Sequence, residues 1–167
     1  MDNGRIPDSL RFVVVGRPIP QGSMHALQTK HMKYPVLTSN QPDLKPWRKL
    51  VGDMARIEMR KNSFVPIGKS VPVRLILDFY FEKETSVKRL DKITKPDLDK
   101  LVRSCGDALT GIVFQDDAQV TELIARKMYG SPARVEIEVQ ESDFPATSLL
   151  KSEPIRNEEL PFQCEVS

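Results

Sequence analysis

The chain has 167 residues, of which 40% are hydrophobic and 29% charged, and a formal net charge of +2. A domain of that length buries roughly two thirds of its unfolded surface and needs no staples, and Cys105 and Cys164 are too few and too far apart for a cystine framework or a zinc cluster. No apolar run approaches the ~20 residues of a membrane helix and none follows Met1–Arg5, which argues against a membrane or secreted protein and leaves a cytoplasmic one as the expectation.

Phe12–Val15 is a β-branched run ended by Gly16, Pro18 and Pro20, which predicts a strand leading into a loop. That loop extends to about Asn40 and carries Arg17, His25, Lys30, His31 and Lys33; loops so long without structure of their own are usually functional or disordered. From Pro42, apolar residues recur at Leu44, Trp47, Leu50, Val51, Met54 and Ile57, the spacing of an amphipathic helix that ends near Arg60. Val71, Val73, Leu75, Leu77, Phe79 and Phe81 then alternate, with Ile76 and Tyr80 on the opposite face, predicting a central strand covered on both sides. A basic loop, Glu82 to Lys95, precedes a helix bounded by Pro96 and Gly111, with Leu98, Leu101, Val102, Cys105, Ala108 and Leu109 on one face. Val113-Phe114 and Val120–Met128 read as strands. Val135, Ile137 and Val139, alternating with polar residues, form a half-exposed last strand.

The order β-α-β-α-β-β predicts an α+β fold, a mixed sheet with two helices packed on it in two layers. After Gln140 the apolar period stops. Residues 141–167 hold six acids against two bases, a charge of −4 that leaves +6 on the rest. One folded domain over 1–140 and an acidic tail over 141–167, disordered or loosely docked, are therefore expected. A basic body suits a polyanionic partner.

The chemistry concentrates in three acidic features: Asp97 and Asp99 at a helix start, then Asp116-Asp117 beyond its end. Singly, an aspartate at a helix start is a cap or dipole partner, and adjacent aspartates belong in a solvated turn. Together they say more. The helix is ~18 Å long at 1.5 Å per residue, and five or six extended residues after Gly111 suffice to bring Asp117 back beside Asp97 and Asp99. Converging carboxylates need a cation, and hard oxygens without Cys or His ligands point to Mg²⁺ and metal-assisted phosphodiester hydrolysis. Arg103, one turn after Asp99, is either the centre of a surface Asp99–Arg103–Asp107 ladder or a fixed cation for a phosphate oxygen; for Asp107 the ladder is preferred.

Lys95-Pro96-Asp97-Leu98-Asp99-Lys100-Leu101, Asp107-Ala108-Leu109-Thr110-Gly111 and Asp116-Asp117-Ala118-Gln119-Val120 closely resemble the signature of RusA-type Holliday-junction resolvases. The likeness is strong over about 95–130, weaker at Gly16–Gly22, and absent from the tail. It implies a homodimeric, Mg²⁺-dependent endonuclease, common in phages and prophages, that binds four-way DNA junctions and nicks two strands symmetrically. Its catalytic acids map onto Asp97, Asp99 and Asp117, with Asp116 adjacent, all four as metal ligands. Two positions depart from the pattern. Lys100 stands where the family usually has asparagine, and Arg103 where it usually has a functional lysine; Arg103 can stabilise a phosphate's charge but not donate a proton, so either the lysine's role is one of charge and Arg103 fills it, or the role is that of an acid and falls to Lys100 or is lost.

The expected mechanism is in-line attack on phosphorus by a metal-activated water, with Arg103 stabilising the added charge. DNA binding is expected from Arg17, Lys30, Lys33, Lys88, Arg89, Lys92, Lys95, Lys100 and Lys127, through phosphate contacts sensitive to salt. The alternatives are a non-catalytic junction-binding protein derived from a resolvase and a flap or fork nuclease. A Ca²⁺-holding module ranks last, because the glycine and close oxygen ligands of an EF-hand loop are missing.

Overall fold

Alternating apolar residues build the centre of the molecule. In the computed structural model, which describes residues 8–22, 24–27, 36–39 and 41–143, β1 (Ser9–Val15), β4 (Val73–Phe81), β5 (Val120–Tyr129) and β6 (Arg134–Glu141) form one sheet in the order β1-β6-β4-β5. β1/β6 and β6/β4 are antiparallel and β4/β5 is parallel, so the sheet is mixed. α1 (Leu44–Lys61) and α2 (Leu98–Leu109) pack on one face of it. The expected α+β architecture, a mixed sheet with two helices, is the observed one. No helix among the described residues is long and apolar enough to cross a membrane.

Period-two burial defines the core. Leu10, Phe12 and Val14 of β1, Val73 to Phe81 at every second position of β4, and Val135, Ile137 and Val139 of β6 point under the helices. Leu101, Cys105 and Leu109 from α2 and Trp47, Val51 and Ala55 from α1 meet them there. Fully burying a side chain of this size stabilises by about 1.5–3 kcal/mol, so the sheet–helix layer holds the fold.

Four details differ from expectation. The segment 16–40 is not a plain loop: β2 (Met24–Leu27) and β3 (Val36–Ser39) pair antiparallel as a separate ribbon, whose short strands carry too little alternation to stand out. β4 is central but covered by helices on one side only. Its other face, Arg74, Ile76, Asp78 and Tyr80, is half-buried beneath ion pairs along the sheet, Arg74–Glu122 and Asp78–Arg126. Leu50 and Ile57 of α1 are exposed, because the buried stripe runs through Leu44, Trp47, Val51, Ala55 and Met59. Val113 and Phe114 lie in a turn with isolated bridges, not a strand. The chain beyond Asp143 lies outside the described residues.

Candidate active site

Asp97 flanks the first turn of α2 in extended backbone and Asp99 lies within that turn, both exposed. They face different ways. Asp97 opens onto a cleft lined by Arg17, Pro18, Gln21, Lys95 and Lys100. Asp99 lines a groove of about 560 Å³ between α2 and β5, together with Arg103 and Asp107. Lys100 Nζ lies 2.8 Å from Asp97 Oδ2. That hydrogen bond and charge, with Lys95 and Lys127 adding, hold the Asp97 carboxyl below the usual carboxylate range, and Asp97 raises Lys100 in return.

Asp117 stands at the far end of the same groove. The chain does not extend back from Gly111 as expected. Gly111, at φ +75, ends α2 in the left-handed region that favours glycine, and its amide closes a turn on the Phe114 carbonyl at 2.7 Å. Val113 and Phe114 then sink into the core, and Ile67 bonds the Val113 carbonyl at 2.8 Å. The turn Asp117–Gln119 is thereby fixed beside Gly68 and Val71, where β4 begins, whereas Asp97 lies where β4 has ended. α2 separates the two.

Gln119, named in the sequence only as a member of the Asp116–Val120 motif, anchors this turn. Its buried side chain accepts from the amides of Gln115 and Asp116 at 2.9 Å and donates to the carbonyls of Gly68 at 2.7 Å and Val71 at 3.0 Å. Asp116 Oδ1 accepts from the Ala118 amide at 2.9 Å, and Asp116 and Gln119 form a reciprocal capping box; the Asp-x-x-Gln spacing was the available signal. Asp116 is thus engaged as a cap, and Asp117 is the carboxylate presented to the groove.

A family model described as Endodeoxyribonuclease RusA matches residues 16–140. The chain belongs to the RusA endodeoxyribonuclease family. Uncharacterized protein YqaN of Bacillus subtilis (strain 168) is 30% identical over 147 residues, 80% of this chain and 97% of that protein. Crossover junction endodeoxyribonuclease rusA of Lactococcus phage r1t is 32% identical over 75 residues, 44% of this chain and 57% of that relative. The RusA match takes in the loop Gly16–Gly22, both acidic segments and Arg103.

The cationic residues of this RusA-family chain fall into two groups. Arg17, Arg89, Lys92 and Lys95 line one cleft beside Asp97 together with Glu82 and Glu84, and Lys88 is exposed nearby. Lys127, and Lys92 of the first group as well, turn toward the chain that leads into Asp97. Lys127 Nζ donates to the carbonyls of Thr94 at 2.9 Å and Pro96 at 2.7 Å. Lys92 Nζ donates to Thr94 Oγ1 at 2.6 Å and the Lys95 carbonyl at 2.7 Å, over the Phe81 and Tyr129 rings. Desolvation first, then the charges of Lys127, Arg89 and Arg17, lowers the Lys92 pKa. Arg89 hydrogen-bonds Tyr129 and lowers the phenol. Lys30, Lys33 and His31, and the side chain of His25, lie outside the described residues.

Asp107 does not form the expected ladder with Arg103. It pairs with Arg48 of α1, whose guanidinium also donates to Gln21 Oε1, and the Gln21 amide donates to the Lys100 carbonyl at 2.9 Å. Arg48 thus docks the loop 16–22 on α2. Arg103 is exposed and makes no ion pair among the described residues.

For a divalent cation the donors fit in kind but not in arrangement. The carboxylate oxygens suit Mg²⁺. Yet among the described residues no three His, Cys, Asp or Glu stand close enough to hold an ion, and Asp97 is taken up by Lys100. The expected convergence of Asp97, Asp99 and Asp117 is not made within one chain.

Proposed function

We propose that this endodeoxyribonuclease acts on four-way (Holliday) DNA junctions, as a homodimer that introduces paired symmetric nicks with Mg²⁺ as its cofactor, in the cytoplasm of a bacterial or phage-infected cell. The observation that carries the proposal is the cleft beside Asp97, where Arg17, Arg89, Lys92 and Lys95 outnumber Glu82 and Glu84, within a match to the RusA family. The phage relative carries the junction in its own name.

The roles follow from charge and position. Arg17, Lys88, Arg89 and Lys95 hold DNA phosphates, a sequence-independent attraction that suits recognition of shape. Asp97, Asp99 and Asp117 are the metal-binding acids, with Asp116 adjacent as the cap of its turn. Bound Mg²⁺ supplies a Lewis acid and an acidified water for hydrolysis. Arg103, which makes no ion pair among the described residues, lies in the groove of Asp99 and Asp117 and stabilises charge that builds on the phosphate. The Asp97–Lys100 pair favours one second reading, a junction-binding protein without cleavage.

A labelled synthetic four-way junction, incubated with and without Mg²⁺ beside linear duplex, flap and fork controls, tests the proposal. Paired nicks on the junction alone, only with Mg²⁺, are expected. Binding without cutting would establish the second reading, and preferential cutting of flaps or forks would move the substrate class.

A further inference from the structure

Leu90 is 83% exposed and Ile93 75%, the two most exposed large hydrophobic residues among those described. A single leucine in water is ordinary. This pair differs because its neighbours hold it there. Asp91, between them, forms a backbone bridge with Met128, and the Ile93 amide donates to the Asp91 carbonyl at 3.1 Å. Lys92 lies over the Phe81 and Tyr129 rings and donates to Thr94 Oγ1 and the Lys95 carbonyl. Arg89 hydrogen-bonds Tyr129. The segment is thus fastened to the protein through its backbone and its charged residues, while its apolar residues stand in water. An ordinary surface loop does the reverse.

The surroundings say what the pair meets. Ile93 is four residues before Asp97, and Lys95 and Pro96, between them, line both clefts beside that carboxylate. Residues 87–95 carry Lys88, Arg89, Lys92 and Lys95 against Asp91 alone. The complementary surface is polyanionic with an apolar interior, which describes DNA whose bases are accessible. An intact duplex shields its base faces by stacking, and opening a stack costs free energy. Where stacking is already interrupted that cost is least. The pairs at the crossing point of an opened four-way junction each present one unstacked face.

We propose that Leu90 and Ile93 form an apolar wedge that seats against the unstacked bases at the branch point, while the cations around it hold the flanking phosphates. The proposal rests on the junction-cleaving function above and supplies its selectivity. Phosphate contacts attract any duplex alike and carry no signal for branching. The wedge does, because only branched DNA offers it a surface at little cost.

Full-length Leu90→Ser/Ile93→Ser protein tests this on two DNAs in the absence of Mg²⁺: a synthetic four-way junction with 2-aminopurine beside the branch point, and a linear duplex carrying the same base. Both side chains are exposed, so the melting temperature should match wild type. Junction affinity should fall by about tenfold or more, the scale of returning a buried leucine side chain to water. Duplex affinity and the salt slope should stay unchanged. The rise in 2-aminopurine fluorescence that wild type causes on the junction should disappear. Leu90→Phe/Ile93→Phe, which keeps the apolar character, should retain the junction preference. Val65→Ser, which removes another exposed apolar side chain in the turn between α1 and β4, should leave every readout unchanged.

Equal losses on junction and duplex, or no loss on either, overturn the proposal. So does a serine variant whose sedimentation differs from wild type, since the pair would then be a contact between copies of the chain. Wild-type protein that shows the junction preference and the fluorescence rise, yet cuts no junction when Mg²⁺ is added, defeats the nuclease proposal and leaves the wedge standing.

Discussion

Lys100 Nζ stands 2.8 Å from Oδ2 of Asp97, so the carboxylate that heads α2 already has a cation. A divalent ion at Asp97 must compete with this ammonium. Lys100→Asn should therefore lower the Mg²⁺ concentration for half-maximal cleavage by about two- to fivefold, the scale of one exposed ion pair. A metal titration of cleavage rate checks it; an unchanged midpoint would mean that Lys100 swings clear without cost.

Asp97→Asn removes a negative charge beside the cationic cleft without changing size. Cleavage should be lost, and junction affinity should stay level or rise, because repulsion of the phosphate is relieved. Gel-shift and cleavage assays on the same junction read both. A variant cutting at wild-type rate would remove Asp97 from the machinery.

Arg103 makes no ion pair among the described residues and faces the groove, so its charge is available to substrate. Arg103→Gln should lower kcat by about 100-fold or more, the usual effect of deleting one charge-stabilising donor. Arg103→Lys should keep most activity, since a lysine carries the same charge. Loss in both would show that the planar guanidinium geometry matters.

Lys127 spends its donors on the carbonyls of Thr94 and Pro96, one residue from Asp97. It is expected to act as a positioning residue. Lys127→Met should reduce kcat about tenfold, with amide exchange faster over residues 94–99, and should leave the salt dependence of junction binding unchanged. A direct phosphate contact would instead lower the slope of log K against log salt by about one.

Cys105 is fully buried, and burial pushes its thiol up to about 12. In a Cys164→Ser background the native protein should take up no alkylating reagent at pH 8, and one equivalent in denaturant. Labelling of the folded protein would show that the α2 core opens readily.

The sheet, both helices and their order were legible because Phe12–Val15 is an apolar, β-branched run ended by Gly16, and Val73–Phe81 and the α2 stripe repeat at clean periods of two and 3.6. The β2–β3 ribbon was not, since strands of four residues carry too few alternations to register. The acids themselves were legible as motif, but their mutual placement was not. Nearness in sequence suggested that Asp117 returns to Asp97, and what decided otherwise was the burial of Val113 and Phe114, a tertiary effect. Arg48 illustrates the same limit. Its partners Gln21 and Asp107 lie 27 and 59 residues away, and no local pattern names them.

The uncovered side of the sheet pairs Arg11 with Glu138, Arg74 with Glu122, Arg126 with Asp78 and Arg134 with Glu136. Every arginine there is cancelled within its own surface, so a polyanion approaching from that direction finds nothing to pull it in. Arg17, Arg89 and Lys95, which make no ion pair among the described residues, stand instead at the mouth of the Asp97 cleft. Among the described residues, a weak, sequence-blind encounter with DNA is therefore favoured at the Asp97 cleft over that sheet face, and orientation is biased before any specific contact forms.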